Sequence, residues 1–357
     1  MHDNSLQVAI VVLNWNGWKD TIECLDSIFR SSYPNFQVIV CDNASTDDSI
    51  SNILSWAKGE RKFILPEMSP IRNKPGSEII PEKVFLSDPK ENWSTSNNTK
   101  RELFIVPIKT NKGYAGGNNI GIKMARSNKE IDYVWLLNND TVVAPPALAE
   151  LVIRARKNRN IGICGSTIRY YDEPDFIQTL GGCTYNKWIA SSKYITPNQM
   201  DSNLDELRST VEERMRMVLG ASMFVSMEFI NEVGLLSEDY FLFAEEIDWS
   251  TRAENIFPLG FAPRSVIYHK KGKSTGSSKN PKERTSITDY YNIRSRLIFT
   301  QKYYPWSLPT VYLSLIPMMI NRLRRGQFDR ASVIFNLALA SLINPKKIFS
   351  SHHRHFT

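Results

Sequence analysis

The chain is poor in residues that staple a fold or bind soft metals. Its four cysteines, Cys24, Cys41, Cys164 and Cys183, lie far apart and form no CxxC pair. That spacing excludes a zinc ribbon or a thioredoxin-like motif, and reduced core thiols are expected. Of five histidines, His2 is terminal, His352, His353 and His355 fall in the last six residues, and His269 alone is interior. No basic segment followed by a long apolar stretch opens the sequence, and no apolar run reaches the ~20 residues that span a bilayer. A cytoplasmic location is therefore expected. No glycine-rich turn follows the first apolar run, where Asn14-Trp15-Asn16-Gly17-Trp18 stands instead. A dinucleotide-binding dehydrogenase needs such a turn for its backbone to approach a pyrophosphate, so that class is excluded. Gly272-Lys273-Ser274-Thr275 imitates the end of a P-loop, but position 267 is Ile where the motif requires glycine.

What is present reads as alternating strands and helices. Val8 to Leu13 is a continuous apolar run, expected as a fully buried strand. A helix is predicted from Trp18 to Arg30, a strand from Phe36 to Cys41, and a helix carrying Ile50, Ile53, Leu54 and Trp56 with Ser45 or Thr46 as its cap. Strands at 103–108 and 133–137 follow, then candidates at 161–171, 217–227 and 260–269. This alternation predicts an α/β fold, a mainly parallel sheet with helices on both faces. Residues 58–102, rich in Pro, Ser, Asn, Lys and Glu, are expected as a polar insertion. The formal charge of +7 favours anionic partners. Its basic residues gather at 270–284 and in the C-terminal region, so no nucleic-acid partner is expected.

Three segments carry chemistry. Tyr133-Val134-Trp135-Leu136-Leu137 ends on Asn138-Asn139-Asp140, placing oxygen ligands where open α/β sheets bind their ligands. Such a tip suits a hard divalent cation shared with a substrate phosphate. His269, at the end of a predicted strand, is a candidate further ligand. The run from Asn111 to Asn119 holds three glycines that let backbone approach a ligand. Phe241-Leu242-Phe243-Ala244 leads into Glu245-Glu246-Ile247-Asp248, and acids beside apolar residues acquire the raised pKa that suits a general base.

Together with Cys41-Asp42-Asn43-Ala44-Ser45-Thr46-Asp47 and Gly220-Ala221-Ser222-Met223, these segments resemble, in order over residues 8 to about 275, the family 2 glycosyltransferases of the GT-A fold, in particular their rhamnosyltransferase-like bacterial branch. The resemblance implies a Rossmann-like GT-A catalytic domain over 1–275 and a helical C-terminal region over 276–357. It implies an inverting hexosyltransferase, using a nucleotide-diphosphate sugar and Mg2+ or Mn2+ to build surface polysaccharide on a saccharide or lipid-linked acceptor. By the same resemblance Asn14 and Asp42 line the base pocket, and Asn111, Gly113, Gly116, Asn118 and Asn139 lie along the nucleotide sugar. Asn138, Asp140 and His269 hold the metal, Glu246 with Glu245 supplies the base, and Asp248 and Trp249 shape the acceptor site. The family's Asp-x-Asp is Asn138-Asn139-Asp140 here, and its Glu-Asp pair is Glu245-Glu246, one methylene longer. A nucleotidyltransferase and a non-catalytic nucleotide-sugar-binding protein are the alternatives. The apolar, aromatic stretch 303–343, with Arg322, Arg324 and Arg325, is expected either to pack as a helical subdomain or to lie on the cytoplasmic face of a membrane.

Overall fold

The computed structural model describes residues 6–72, 80–88, 101–197, 203–270 and 286–344. Val8–Asn14 forms β1, Trp18–Phe29 α1, Phe36–Asp42 β2 and Ser49–Ala57 α2. Lys83–Leu86 is β3, Glu102–Pro107 β4, Gly113–Ser127 α3, Tyr133–Asn138 β5, Thr141–Val143 β6 and Ala147–Lys157 α4. Ile163–Tyr170 is β7, Ile177–Leu180 β8, Gly182–Asn186 β9, Ser191–Tyr194 β10 and Arg208–Arg214 α5. Met217–Val218 is β11, Ser222–Ser226 β12, Met227–Val233 α6, Glu245–Ala253 α7 and Leu259–His269 β13. Ser286–Tyr303, Leu308–Arg324 and Phe328–Ile343 are helices α8, α9 and α10.

The main sheet runs β3-β4-β2-β1-β5-β12-β7-β13-β6, with β8 paired to β7. Its β3 to β5 half is parallel, and β12 lies antiparallel between β5 and β7. The apolar run of β1 follows from burial on both faces. Val8, Ile10 and Val12 pack with α1, α2 and α4, while Ala9 and Val11 pack with α3 and α6. A second sheet, β10-β9-β11, joins α8, α9 and α10 in a separate apolar cluster.

Within the predicted insertion, Lys83–Leu86 pairs in parallel with β4 as the sheet's edge strand, while 73–79 and 89–100 lie outside the described residues. Three expectations need correction. Ser45 and Thr46 do not cap α2. The Ser45 hydroxyl accepts from the Asn16 amide at 2.9 Å, and the Thr46 amide donates to Asn16 Oδ1 at 2.7 Å. Strands β8 to β10 were not expected. The glycine run is not a loop but the first two turns of α3, and a Cβ on Gly117 would meet Leu13 at 2.4 Å. That glycine serves close packing of helix on strand. The basic segment at 271–285 lies outside the described residues.

Candidate active site

The chain's route through the sheet brings Asp140 and His269 together. After β5 it turns at Asn139-Asp140 and enters β6, whose Thr141 pairs with His269 at the end of β13. His269 Nε2 stands 3.5 Å from Asp140 Oδ1, while its Nδ1 lies 3.1 Å from Gln178 Oε1. Gln178 Nε2 donates to the Tyr194 hydroxyl at 3.3 Å, so its oxygen faces the histidine. Nδ1 therefore carries the proton, and the Nε2 lone pair points toward a carboxylate. Asp140 Oδ1 is buried and makes no hydrogen bond among the described residues. Two acceptors facing each other across a buried gap, with the imidazole's far side fixed by an amide oxygen, is the donor set of a hard or borderline cation. Burial works to raise the Asp140 carboxyl, but His269 when its ring is charged, the carboxyl's own backbone N–H and Lys270 outweigh that and hold it below the usual range. Among the described residues no group of three His, Cys, Asp or Glu converges on one point. Asn138 ends β5 half-buried, its backbone amide donating to Ala221 O at 3.2 Å.

Ala221 leads to the second half of the site. The loop between β11 and β12 places Gly220 against α7, where a Cβ on Gly220 would meet Glu246 Oε1 at 2.3 Å. Tyr114, on the first turn of α3, donates its hydroxyl to Gly220 O at 2.7 Å. Its phenol is pushed well above the ordinary value, by burial first and then by Glu246, Glu245 and Asp140. Asn138 bonds Ala221 and the adjacent Gly220 lies against Glu246, so the tip of β5 and the start of α7 share one neighbourhood. Burial also raises Glu246, against the lowering effect of its own N–H and that of Gly220. Glu245 is raised well above the usual range by burial and by Glu246 beside it, and its Oε2 has no hydrogen-bond partner among the described residues. Phe243 and Ala244, immediately before them, hold φ of 67° and 70°. Two successive non-glycine residues in left-handed conformation store strain of the kind found where a side chain must be aimed.

The remaining predicted residues divide into organisers and scaffold. Asn14 donates to Asp42 Oδ2 at 2.7 Å, and Asp42 Oδ1 accepts the Ser45 amide at 3.0 Å, which ties the ends of β1 and β2. Asn139 donates to Thr21 Oγ1 at 3.1 Å beneath the β5 tip. Asn111 Oδ1 accepts from Asn43 Nδ2 and from the Gly113 amide, both at 2.9 Å. Gly113, with φ of 69°, has no room for a Cβ beside Phe241 O, and one on Gly116 would strike Lys112. Asn118 Oδ1 is buried and has no hydrogen-bond partner among the described residues. Asp248 and Trp249 do not fit the acceptor role expected of them. Asp248 is fully buried and accepts from Tyr240, Arg252, Lys302 and Tyr303, while Trp249 is fully buried and donates to Gly234 O at 2.9 Å. Their polar atoms are consumed inside the fold. Tyr114, Gln178 and Tyr194 carry no role in the sequence reading, and Asn43 enters it only as part of a motif. Tyr114 sat inside a stretch read for its glycines and asparagines, and Gln178 on a strand too short and mixed to register.

A mainly parallel sheet flanked by helices, with a carboxylate and a histidine at its strand ends and a glutamate pair opening α7, has the architecture of the GT-A fold. The profile of glycosyl transferase family 2 matches residues 9–69 and 94–205, and the chain belongs to that family as a glycosyltransferase. No curated protein sequence matches it. Among solved structures, GalNAc-T7 with UDP, GalNAc and Mn2+ is 17% identical over 83% of this chain, with a TM-score of 0.51. This chain spans 51% of that protein, and the likeness concerns the fold. The mannosyltransferase PcManGT from Pyrobaculum calidifontis, in complex with GDP-Man and Mn2+, is 15% identical over 97% of this chain and 83% of its own, with a TM-score of 0.49. TarS residues 1–349 of S. aureus are 11% identical over 95% and 92%, with a TM-score of 0.46.

Proposed function

We propose that the protein is an inverting, metal-dependent glycosyltransferase that moves a hexose from a nucleotide-diphosphate sugar to a hydroxyl of a saccharide or lipid-linked acceptor. The observation carrying this reading is the facing pair Asp140 Oδ1 and His269 Nε2, linked to the Glu246 side of the site through Asn138, Ala221 and Gly220. Asp140 and His269, with Asn138 beside them, are the residues to hold Mg2+ or Mn2+, leaving other positions to water and the donor diphosphate. Bound there, the cation supplies Lewis-acid charge to the departing diphosphate. Asn14, Asp42, Asn111 and Asn118, with Gly113 and Gly116, frame the donor side, and Asn139 supports it from below. Glu246 takes the acceptor proton. Burial keeps its carboxyl basic enough for that task, worth roughly 10²–10⁴-fold in rate. A single displacement with no covalent sugar–enzyme bond inverts the anomeric centre. The test is a panel of nucleotide sugars with and without Mn2+, read as donor hydrolysis and, with acceptor, as the product anomer by proton NMR. Metal-dependent hydrolysis and inversion are expected. Pyrophosphate release from a nucleoside triphosphate without sugar transfer overturns the reading in favour of a nucleotidyltransferase.

The reading includes a seat on anionic lipid headgroups for 303–343. Among the described residues no helix is long and apolar enough to cross a membrane. Each of α9 and α10 nevertheless has two apolar faces. Val311 and Leu315 pack inward, while Leu313, Ile316, Ile320 and Leu323 form an exposed stripe at 3- and 4-residue spacing. Phe335, Leu339 and Leu342 repeat the pattern on α10. Arg324 and Arg325 are exposed beside these stripes, whereas Arg322 turns inward to Asp289.

A further inference from the structure

A cavity of about 370 Å³ opens beside Glu246, between α7, α8 and the small sheet. That size suits a small-molecule fragment such as a sugar unit with one substituent. Its walls carry Tyr194, Ser192, Asn292, Phe299 and, on α8, Arg296. Arg296 is the unusual member. Its Nη2 donates to Ile189 O at 2.5 Å and to Ser314 Oγ at 3.2 Å, and its Nη1 approaches Met318 Sδ at 3.0 Å. All three partners are neutral. Among the described residues its Nε, a buried atom, makes no hydrogen bond and no carboxylate pairs with the guanidinium. A guanidinium cannot shed its proton, so the cavity wall carries a fixed and uncompensated positive charge. In the same helical bundle Asp289 compensates Arg322 and Arg330. A partly buried cation without a carboxylate partner is costly to hold unless a ligand completes it. Burial accordingly pushes the Arg296 guanidinium below its ordinary value, with only Tyr185 opposing.

We infer that Arg296 reads an oxyanion group on the acceptor, a phosphate or a carboxylate, held in the cavity that Glu246 borders. The inference rests on the sugar-transfer reading, since it assigns this cavity to the acceptor. The oxyanion completes Arg296 at one part of the wall, and the nucleophilic hydroxyl lies toward Glu246. Tyr194, Ser192 and Asn292 supply neutral hydrogen bonds to the sugar between them. A charge-assisted contact of this kind is worth about ten-fold or more in affinity.

The test compares glucose 1-phosphate, glucuronate and glucose as probes, titrated by ligand-observed NMR against the full chain. At least one anionic probe is expected to bind about ten-fold or more tighter than glucose. Arg296→Met removes that preference, and Arg296→Lys retains part of it. Preference for the phosphate probe alone identifies a phosphorylated acceptor, and preference for glucuronate alone an acidic sugar. Equal binding of all three probes by the wild type, no binding of any, or a preference unchanged in Arg296→Met overturns the inference. The wild-type comparison stands even if the Met variant folds poorly. Metal-dependent donor hydrolysis, measured in parallel, reports on the transferase reading separately.

Discussion

At the scale of single residues, the account turns on which atoms are left without protein partners. Asp140 Oδ1 is such an atom, buried beside an imidazole whose tautomer Gln178 sets. Gln178→Leu frees the imidazole to rotate and change tautomer, so Mn2+ affinity is expected to fall about 10–100-fold while the fold persists. Glu246→Gln is expected to abolish transfer and leave donor binding near wild type; substantial transfer by that variant, read with any competent acceptor, contradicts the base assignment. Gly220→Ala pushes a methyl into the Glu246 carboxyl, a flexible group that can move aside. It should slow transfer with little loss of melting temperature. These residues were unequally legible in the sequence. Asp140, His269 and Glu246 declared themselves as acids and imidazole at the ends of apolar runs. Gln178 and Tyr114 did not, because their roles come from neighbours that the sheet alone brings near. Asp248 does not bind the acceptor because its oxygens are consumed by the nearby Tyr240 and Arg252 and by Lys302 and Tyr303, which only the fold brings near.

At the scale of elements, α7 and α8 store most of the electrostatic tension. Glu245 binds its proton more tightly in the folded chain than in the unfolded one, since burial and Glu246 raise it. Its contribution to stability is therefore complete below the ordinary glutamate value of about 4.3 and lost as pH rises through the raised one. Glu245→Gln should flatten that decline, seen as melting temperature against pH. Asp289 behaves in the reverse sense. Burial opposes its charge, but Arg330 and Arg322 hold it below the usual range, so its contribution is lost as pH falls through that lowered value. Asp289→Asn deprives two buried guanidiniums of their carboxylate and is expected to cost about 3–5 kcal/mol in denaturant unfolding. The long elements β1, α1, β2 and β5 were legible because burial on both faces or on one stripe writes an unbroken apolar pattern. Strands β8 to β10 were not, because they are short and pair outside the central parallel run. The glycines of α3 were readable as close approach, but what approaches is Leu13 and Phe241.

At the scale of the whole molecule, the site sits where the sheet's strand ends meet α7, and the C-terminal helices present apolar stripes to their surroundings. If those stripes rest on anionic headgroups, the chain should sediment with vesicles containing phosphatidylglycerol and less with neutral ones. Leu313→Glu combined with Leu339→Glu should release it while donor hydrolysis continues. Equal recovery of wild type and variant in the supernatant contradicts the membrane seat and leaves the catalytic proposal intact. The stripes were visible beforehand only as an excess of apolar residues, since which face of each helix is covered depends on α8.

The central claim is that Asp140 and His269 form a cation site that the donor diphosphate completes. Electron paramagnetic resonance titration of Mn2+, with and without nucleoside diphosphate, tests it most directly in wild type, Asp140→Ala and Glu246→Gln. Wild type and Glu246→Gln should bind Mn2+ alike and more tightly once the diphosphate is added. Asp140→Ala should lose that binding by about 10-fold or more. An Asp140→Ala titration that superimposes on wild type contradicts the account.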